Sequence, residues 1–161
     1  MPTTYVLPNA ATLVETFEML FGGKGPVTPG KRLDPKAGSG CPVATYVDDA
    51  GKVVAIVFCD LEFAAYAGSA LSMLPAAAAK EAIKTRKLEP TMLDNLYEVM
   101  NILSTLLMNE RTPHLKLDAL HPDPGKIPAD ARSLLSKPAG RADFTVSVPR
   151  YGSGNLALLV N

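Results

Sequence analysis

The sequence predicts an α+β fold, in which two halves, each a helix followed by a β-hairpin, put their strands into one antiparallel sheet covered by helices. Three observations lead there. The stretch Glu89 to Asn109 (EPTMLDNLYEVMNILSTLLMN) repeats apolar residues at Met92, Leu96, Met100, Leu103 and Leu107, the spacing of one helix face. PVATYV and KVVAIVFC flank Asp48-Asp49-Ala50-Gly51, which reads as a hairpin. The order helix, possible short strand, hairpin also runs twice, from Asn9 to Cys59 and from Pro90 to Asn161, although the residues of the two copies barely match. A length of 161 residues suits one domain over the whole chain, 1–161, with a real core.

Asn9 supplies the N-cap of a first helix whose buried stripe is Leu13, Phe17, Leu20 and Phe21, and Gly22-Gly23 stop it. Residues 24–41, rich in Gly, Pro and Lys, read as loop with at most one short strand between Val27 and Leu33. The strand KVVAIVFC is nearly all β-branched or apolar, so both of its faces are expected to be covered. Asp60 is placed to cap a helix from Leu61 to Leu74 that buries Phe63, Ala67, Leu71 and Leu74. Pro75 restarts the chain into PAAAAKEAIKTRK, where Lys80, Lys84, Arg86 and Lys87 form a solvated face. Pro90 stands in the first turn of the central helix, where its missing N–H would have no helical partner. HLKLDAL alternates as a strand, and the proline-punctuated connection after it holds a short helical turn at Ala129 to Leu135. RADFTVSVPRY, a turn at Gly152-Ser153-Gly154-Asn155 and LALLVN form the last hairpin. FTVSV and LALLV leave a strand edge that a second copy of the chain would cover, which makes a homodimer the expected assembly.

Composition excludes several function classes. Lys plus Arg and Asp plus Glu both number 16, so no net field favours nucleic acid or an anionic membrane. There is no tryptophan and little aromatic surface to stack bases. The segment MPTTYVLPNAATLVETFEML has no basic start and is interrupted by Glu15 and Glu18, unlike a signal peptide, and no apolar run spans a bilayer. A cytoplasmic protein is the simplest expectation.

At about 100° per residue, Asp94, Glu98, Asn101 and Thr105 fall on the face of the central helix opposite its apolar stripe. Taken alone, such a row is an ordinary solvated helix face. Asp94-x3-Glu98-x2-Asn101, with Pro124 downstream, resembles the signature of the CheC/CheX/FliY family, phosphatases of the phosphorylated chemotaxis regulator CheY. The layout agrees across nearly the whole chain, and a single complete motif makes it most like CheX. Cys59-Asp60 stands where the family often has Gly-Asp.

The resemblance implies a CheC-like fold and a partner, a phosphorylated CheY-like receiver. The aspartyl phosphate of such a receiver is hydrolysed by in-line attack of water, assisted by the receiver's own metal and lysine. This chain would bring no cofactor and no metal site; Mg would be supplied by the receiver. Asn101 would orient the water, since a carboxamide both donates and accepts without titrating. Glu98 would dock against the receiver's lysine, with Asp94 at the periphery of the contact. The family often has glycine where this chain has Thr105, whose side chain would narrow the partner's approach. The first helix repeats the spacing as Ala11-x3-Glu15-x2-Glu18 but lacks the first polar residue and the asparagine. The alternative reading is a non-catalytic CheX-like binding module, or a structural subunit docking a receiver or a motility complex.

Other clusters read as structure. His114 and Asp118 would share one strand face with His121 on the other, which argues against a metal cluster. Cys41 and Cys59 lie at the open end of the first hairpin, where a disulfide is conceivable, but two buried thiols are expected. Gly22-Gly23-Lys24 lacks the first glycine and the following helix of a phosphate loop. Met92, Met100 and Met108 read as core filler.

Overall fold

The structure, a computed structural model, describes residues 3–161. A six-stranded sheet is built from β1 (Val27–Pro29), β2 (Val43–Val47), β3 (Val53–Cys59), β4 (Lys116–His121), β5 (Gly140–Val148) and β6 (Gly152–Val160), in the order β1-β5-β6-β3-β2-β4. Every pairing is antiparallel. The helices are α1 (Ala10–Phe21), α2 (Leu61–Ala70), α3 (Ala76–Thr85), α4 (Pro90–Leu103) and α5 (Ala129–Ser136). The last strands of the two halves, β3 and β6, pair at the centre with their hairpin partners β2 and β5 outside them. Each half's short strand then crosses over: β1 joins β5 of the second half, and β4 joins β2 of the first. The repeated layout read from the sequence is therefore a pseudo-twofold sheet with exchanged edge strands.

Period-two alternation divides the sheet between two cores. Ala55, Val57 and Cys59 of β3 and Leu156, Leu158 and Val160 of β6 face α1, α2 and α4. Ile56 and Phe58, with Ala157 and Leu159, face Ile127, Ala131 and Leu134 around α5. All seven residues of β3 are buried, as its sequence predicts. Each wholly buried Leu or Phe in these layers contributes roughly 1.5–3 kcal/mol.

Local chemistry sets the boundaries. The Asn9 side chain accepts from Thr12 N–H at 2.9 Å, and Gly22 closes α1 in the left-handed conformation at φ 70°. The Asp60 carboxylate accepts from Phe63 N–H at 2.8 Å and from Asn155 N–H at 3.0 Å and Nδ2 at 2.8 Å, joining α2 to β6. Burial pushes this carboxyl above its ordinary range, and those donors pull only part of the shift back.

Four expectations are corrected. The helix after Asp60 ends at Ala70, not Leu74, because the chain turns left-handed at Met73 (φ 57°) and Leu74 N–H bonds Ser69 O at 2.9 Å. Leu71 and Leu74 are consequently only half-buried. The central helix stops at Leu103 and tightens into a 3-10 turn over Ser104–Leu107, so Met108 and Asn109 lie outside it. The last hairpin turns at Pro149-Arg150-Tyr151, with Arg150 at φ 73°, and Gly152 to Asn155 belong to β6. Finally, FTVSV and LALLV are not a free edge. β6 lies between β3 and β5, and β1 covers β5 at Phe144, Thr145 and Val146.

The chain after β1 is pinned by a largely buried ion pair. Arg141 Nε and Nη2 both donate to the Asp143 carboxylate at 2.8 Å, with side-chain exposures of 12% and 13%. Leu33 N–H donates to Asp143 Oδ2 at 2.8 Å, and Leu33 O accepts from Arg141 at 2.5 Å. Burial would raise the Asp143 carboxyl, but the Arg141 and Leu33 hydrogen bonds and the charges of Arg141 and Arg32 overcome it, and it lies below its ordinary value.

Candidate functional site

α4 begins at Pro90, in the first helical position, and packs across α2. Met92, Leu96, Met100 and Leu103 are wholly buried, as are Val99 and, in the following turn, Leu107. This stripe fixes the helix's rotation, so Asp94, Glu98 and Asn101 stand exposed on the other side, one helical turn apart. Among the described residues, none of these three side chains has a hydrogen-bond or ion-pair partner. Two carboxylate acceptors and a bifunctional carboxamide therefore face solvent on a rigid rod.

The backbone under Asn101 is held from both sides. Tyr46, fully buried on β2, donates its hydroxyl to Met100 O at 2.6 Å. Burial pushes the Tyr46 phenol far above its ordinary value, with Cys59 adding to the shift, so it stays a neutral donor. Ser104 Oγ donates to Asn101 O at 2.5 Å. The Asn101 carbonyl also accepts the Ser104 backbone N–H, so the end of the helix is closed by backbone and side chain together. Thr105 is exposed beside the row as expected, but on the 3-10 turn rather than on α4, and its hydroxyl donates to Ile102 O at 2.8 Å.

α1 carries the matching row. Ala11, Glu15 and Glu18 are all exposed, opposite buried Leu13, Phe17 and Phe21, and no carboxamide is among them. A residue that the sequence reading passed over is Tyr97, 40% exposed between Asp94 and Glu98 in sequence. With Leu93, Asp94, Asp118, Leu120 and Pro122 it lines a surface hollow between α4 and β4. An aromatic at a helix position that the apolar stripe does not need was the available signal.

The remaining candidates lie apart. His114 Nδ1 lies 3.1 Å from Asp49 Oδ1, and His121 lies 3.3 Å from the Thr45 hydroxyl. Cys41 and Cys59 are buried free thiols whose ionisation burial pushes upward. Pro124 is buried at the start of a 3-10 turn, Pro124–Lys126, after β4. Lys80, Lys84, Arg86 and Lys87 are exposed, with Arg86 donating to Ser39 O at 2.5 Å. Among the described residues, no helix is long and apolar enough to cross a membrane.

No protein-family model and no curated protein sequence matches the chain. Solved structures do. A chain of the FliM–SpeE complex from H. pylori is similar at TM-score 0.59 and 7% identity, over 94% of this chain and 80% of that one. FliY from Thermotoga maritima is similar at TM-score 0.51 and 12% identity, over 92% of this chain and 81% of that one. The CheX–CheY–BeF3–Mg complex from Borrelia burgdorferi gives TM-score 0.41 and 14% identity over 94% and 93%, too loose a superposition to add to these. At such identities the likeness is one of fold. The chain has the fold of FliY and of the FliM complex, with its candidate polar row exposed on α4.

Proposed function

We propose that this protein docks a CheY-like receiver on α4 and accelerates hydrolysis of the receiver's aspartyl phosphate. The observation that carries the reading is the unpartnered Asp94–Glu98–Asn101 row on a helix whose rotation the core fixes. Asn101 accepts one hydrogen bond from the attacking water and donates another, holding it in line with the phosphorus. The bonds from Tyr46 and Ser104 to the carbonyls at Met100 and Asn101 hold the backbone from which that carboxamide projects. Glu98 meets the receiver's lysine, and Asp94 borders the contact. The metal belongs to the receiver and neutralises charge on the phosphoryl oxygens. In this reading the protein works in the cytoplasm, where receivers are phosphorylated, as one domain over residues 1–161.

A second reading is a non-catalytic docking subunit. Thr105 supports it, because its exposed side chain stands beside Asn101 where a partner must come close. The fold likeness to a FliM that assembles with SpeE supports it too. The two readings separate in one experiment: phosphate release from a phosphorylated receiver of the same organism, with and without this protein. Acceleration that disappears in Asn101→Ala supports the phosphatase. Binding without acceleration supports the docking subunit, and neither effect on the organism's receivers sinks both.

A further inference from the structure

The hollow between α4 and β4 offers a contact that shares only Asp94 with the Asp94–Glu98–Asn101 row. It is lined by the apolar Leu93, Ala119, Leu120 and Pro122, by the half-exposed ring of Tyr97, and by the acids Asp94 and Asp118. Among the described residues, neither aspartate has an ion-pair partner within 4.0 Å. Leu93 and Pro122 form a ridge shared with a neighbouring hollow lined by Arg86 and Lys87, so the sign of charge reverses across that ridge. Arg86 is already engaged by Ser39 O. An apolar lining, an exposed aromatic ring and two acids match an amphipathic cation: a long aliphatic stem ending in a positive head.

The geometry points to this hollow as the subsite for a basic side chain of a protein partner, with arginine preferred over lysine. The stem lies on Leu120 and Pro122, the guanidinium stacks on Tyr97, and its N–H groups meet Asp94 and Asp118. Asp94 thereby links the hollow to the row beside it, and the partner that reaches Asn101 presents an arginine next to its docking face. The identity of that partner as a receiver rests on the proposed function; the chemistry of the subsite does not.

Two measurements decide it. Amide chemical shifts are followed by NMR while the protein is titrated with acetyl-Gly-Arg-Gly-amide, and with the same peptide carrying norleucine. Saturable shifts at Tyr97, Asp118 and Leu120 are expected for the arginine peptide alone, at roughly millimolar concentration, and are expected to vanish in Asp118→Asn. Equal shifts with both peptides, or none with either, overturn the subsite. With a receiver that binds, Asp118→Lys is expected to raise its dissociation constant about tenfold through like-charge repulsion. Equal affinity for Asp118→Lys and the natural protein overturns the use of the hollow, whatever Asn101→Ala does to hydrolysis. A receiver that binds neither protein sinks the docking reading instead, and the peptide titration still judges the subsite.

Discussion

α1 and α4 occupy matching places in the two halves, both apolar on the inner side and different in chemistry on the outer. Inward, α1 buries Leu13, Phe17 and Phe21 and α4 buries Leu96, Met100 and Leu103 against the same sheet face. Outward, Ala11, Glu15 and Glu18 stand where α4 has Asp94, Glu98 and Asn101. Packing demands volume and apolarity from the inner side, and nothing in the fold constrains the outer side. Under the proposed function, that one exposed carboxamide is what would let α4 order a water molecule and leave α1 unable to. The halves also hold their exchanged strands differently. β1 has three residues and relies on the Arg141–Asp143 pair beyond it, whereas β4 has six and is held by the ladder to β2.

The largest effect should come from breaking the anchor of the first half. Asp143→Asn leaves the largely buried Arg141 without a countercharge, and unfolding by urea should report a loss of about 3 kcal/mol. Under the proposed function Asn101→Ala comes next: it should slow receiver dephosphorylation about a hundredfold, the scale of losing one positioned hydrogen-bonding group. Glu18→Ala on α1 should leave that rate where it was; a comparable drop would mean that the first helix is not the silent copy. Acid should then distinguish the halves. The Asp143 carboxyl is depressed in the folded protein, so its stabilisation is complete above the ordinary value of 3.8 and is lost as pH falls through the lower folded value. Amide exchange around Gly30 and Leu33 should accelerate below that point before exchange in β4 does, and Asp143→Asn should abolish the difference. A smaller loss of stability than that of Asp143→Asn is expected from Tyr46→Phe, which strands the Met100 carbonyl at a cost of about 1–2 kcal/mol. Thermal unfolding checks it, and no change would mean that water or a neighbour replaces the phenol.

Much of this was legible because the chemistry is local. Asn9 and Gly22 delimit α1 by capping alone, and the period of Met92, Leu96, Met100 and Leu103 orients α4 without any tertiary information. The polar row followed from the same period. What escaped depends on neighbours remote in sequence. Gly152 and Gly154 read as a turn, yet they sit within β6 because α2 lies on them. A Cβ at Gly154 would fall 2.3 Å from Phe63 N, and one at Gly152 would fall 2.8 Å from the Tyr66 ring. Glycine marked a close approach, not a reversal. The end of α2 was hidden because Leu71 and Leu74 continue the apolar spacing past the left-handed turn at Met73. β1, lying among glycines and prolines, gave no sign that it would cover the edge of FTVSV. The hollow at Tyr97 required β4 to be placed beside α4, which no periodicity announces.

The exchange of β1 and β4 bears on how the molecule comes into being. Neither half can complete its own three strands, because the pairing partner of each outer strand lies in the other half. Leu33 and Asp143, which lock the first crossing, are 110 residues apart in the chain. A nascent chain therefore carries β1 and the hairpin β2–β3 with open flanks until the second half arrives, and the closure of long loops limits the rate of assembly. Two fragments cut between α2 and α3 would each be left with unpaired strands. Mixed together, they would find in one another the edges that the intact chain finds in itself.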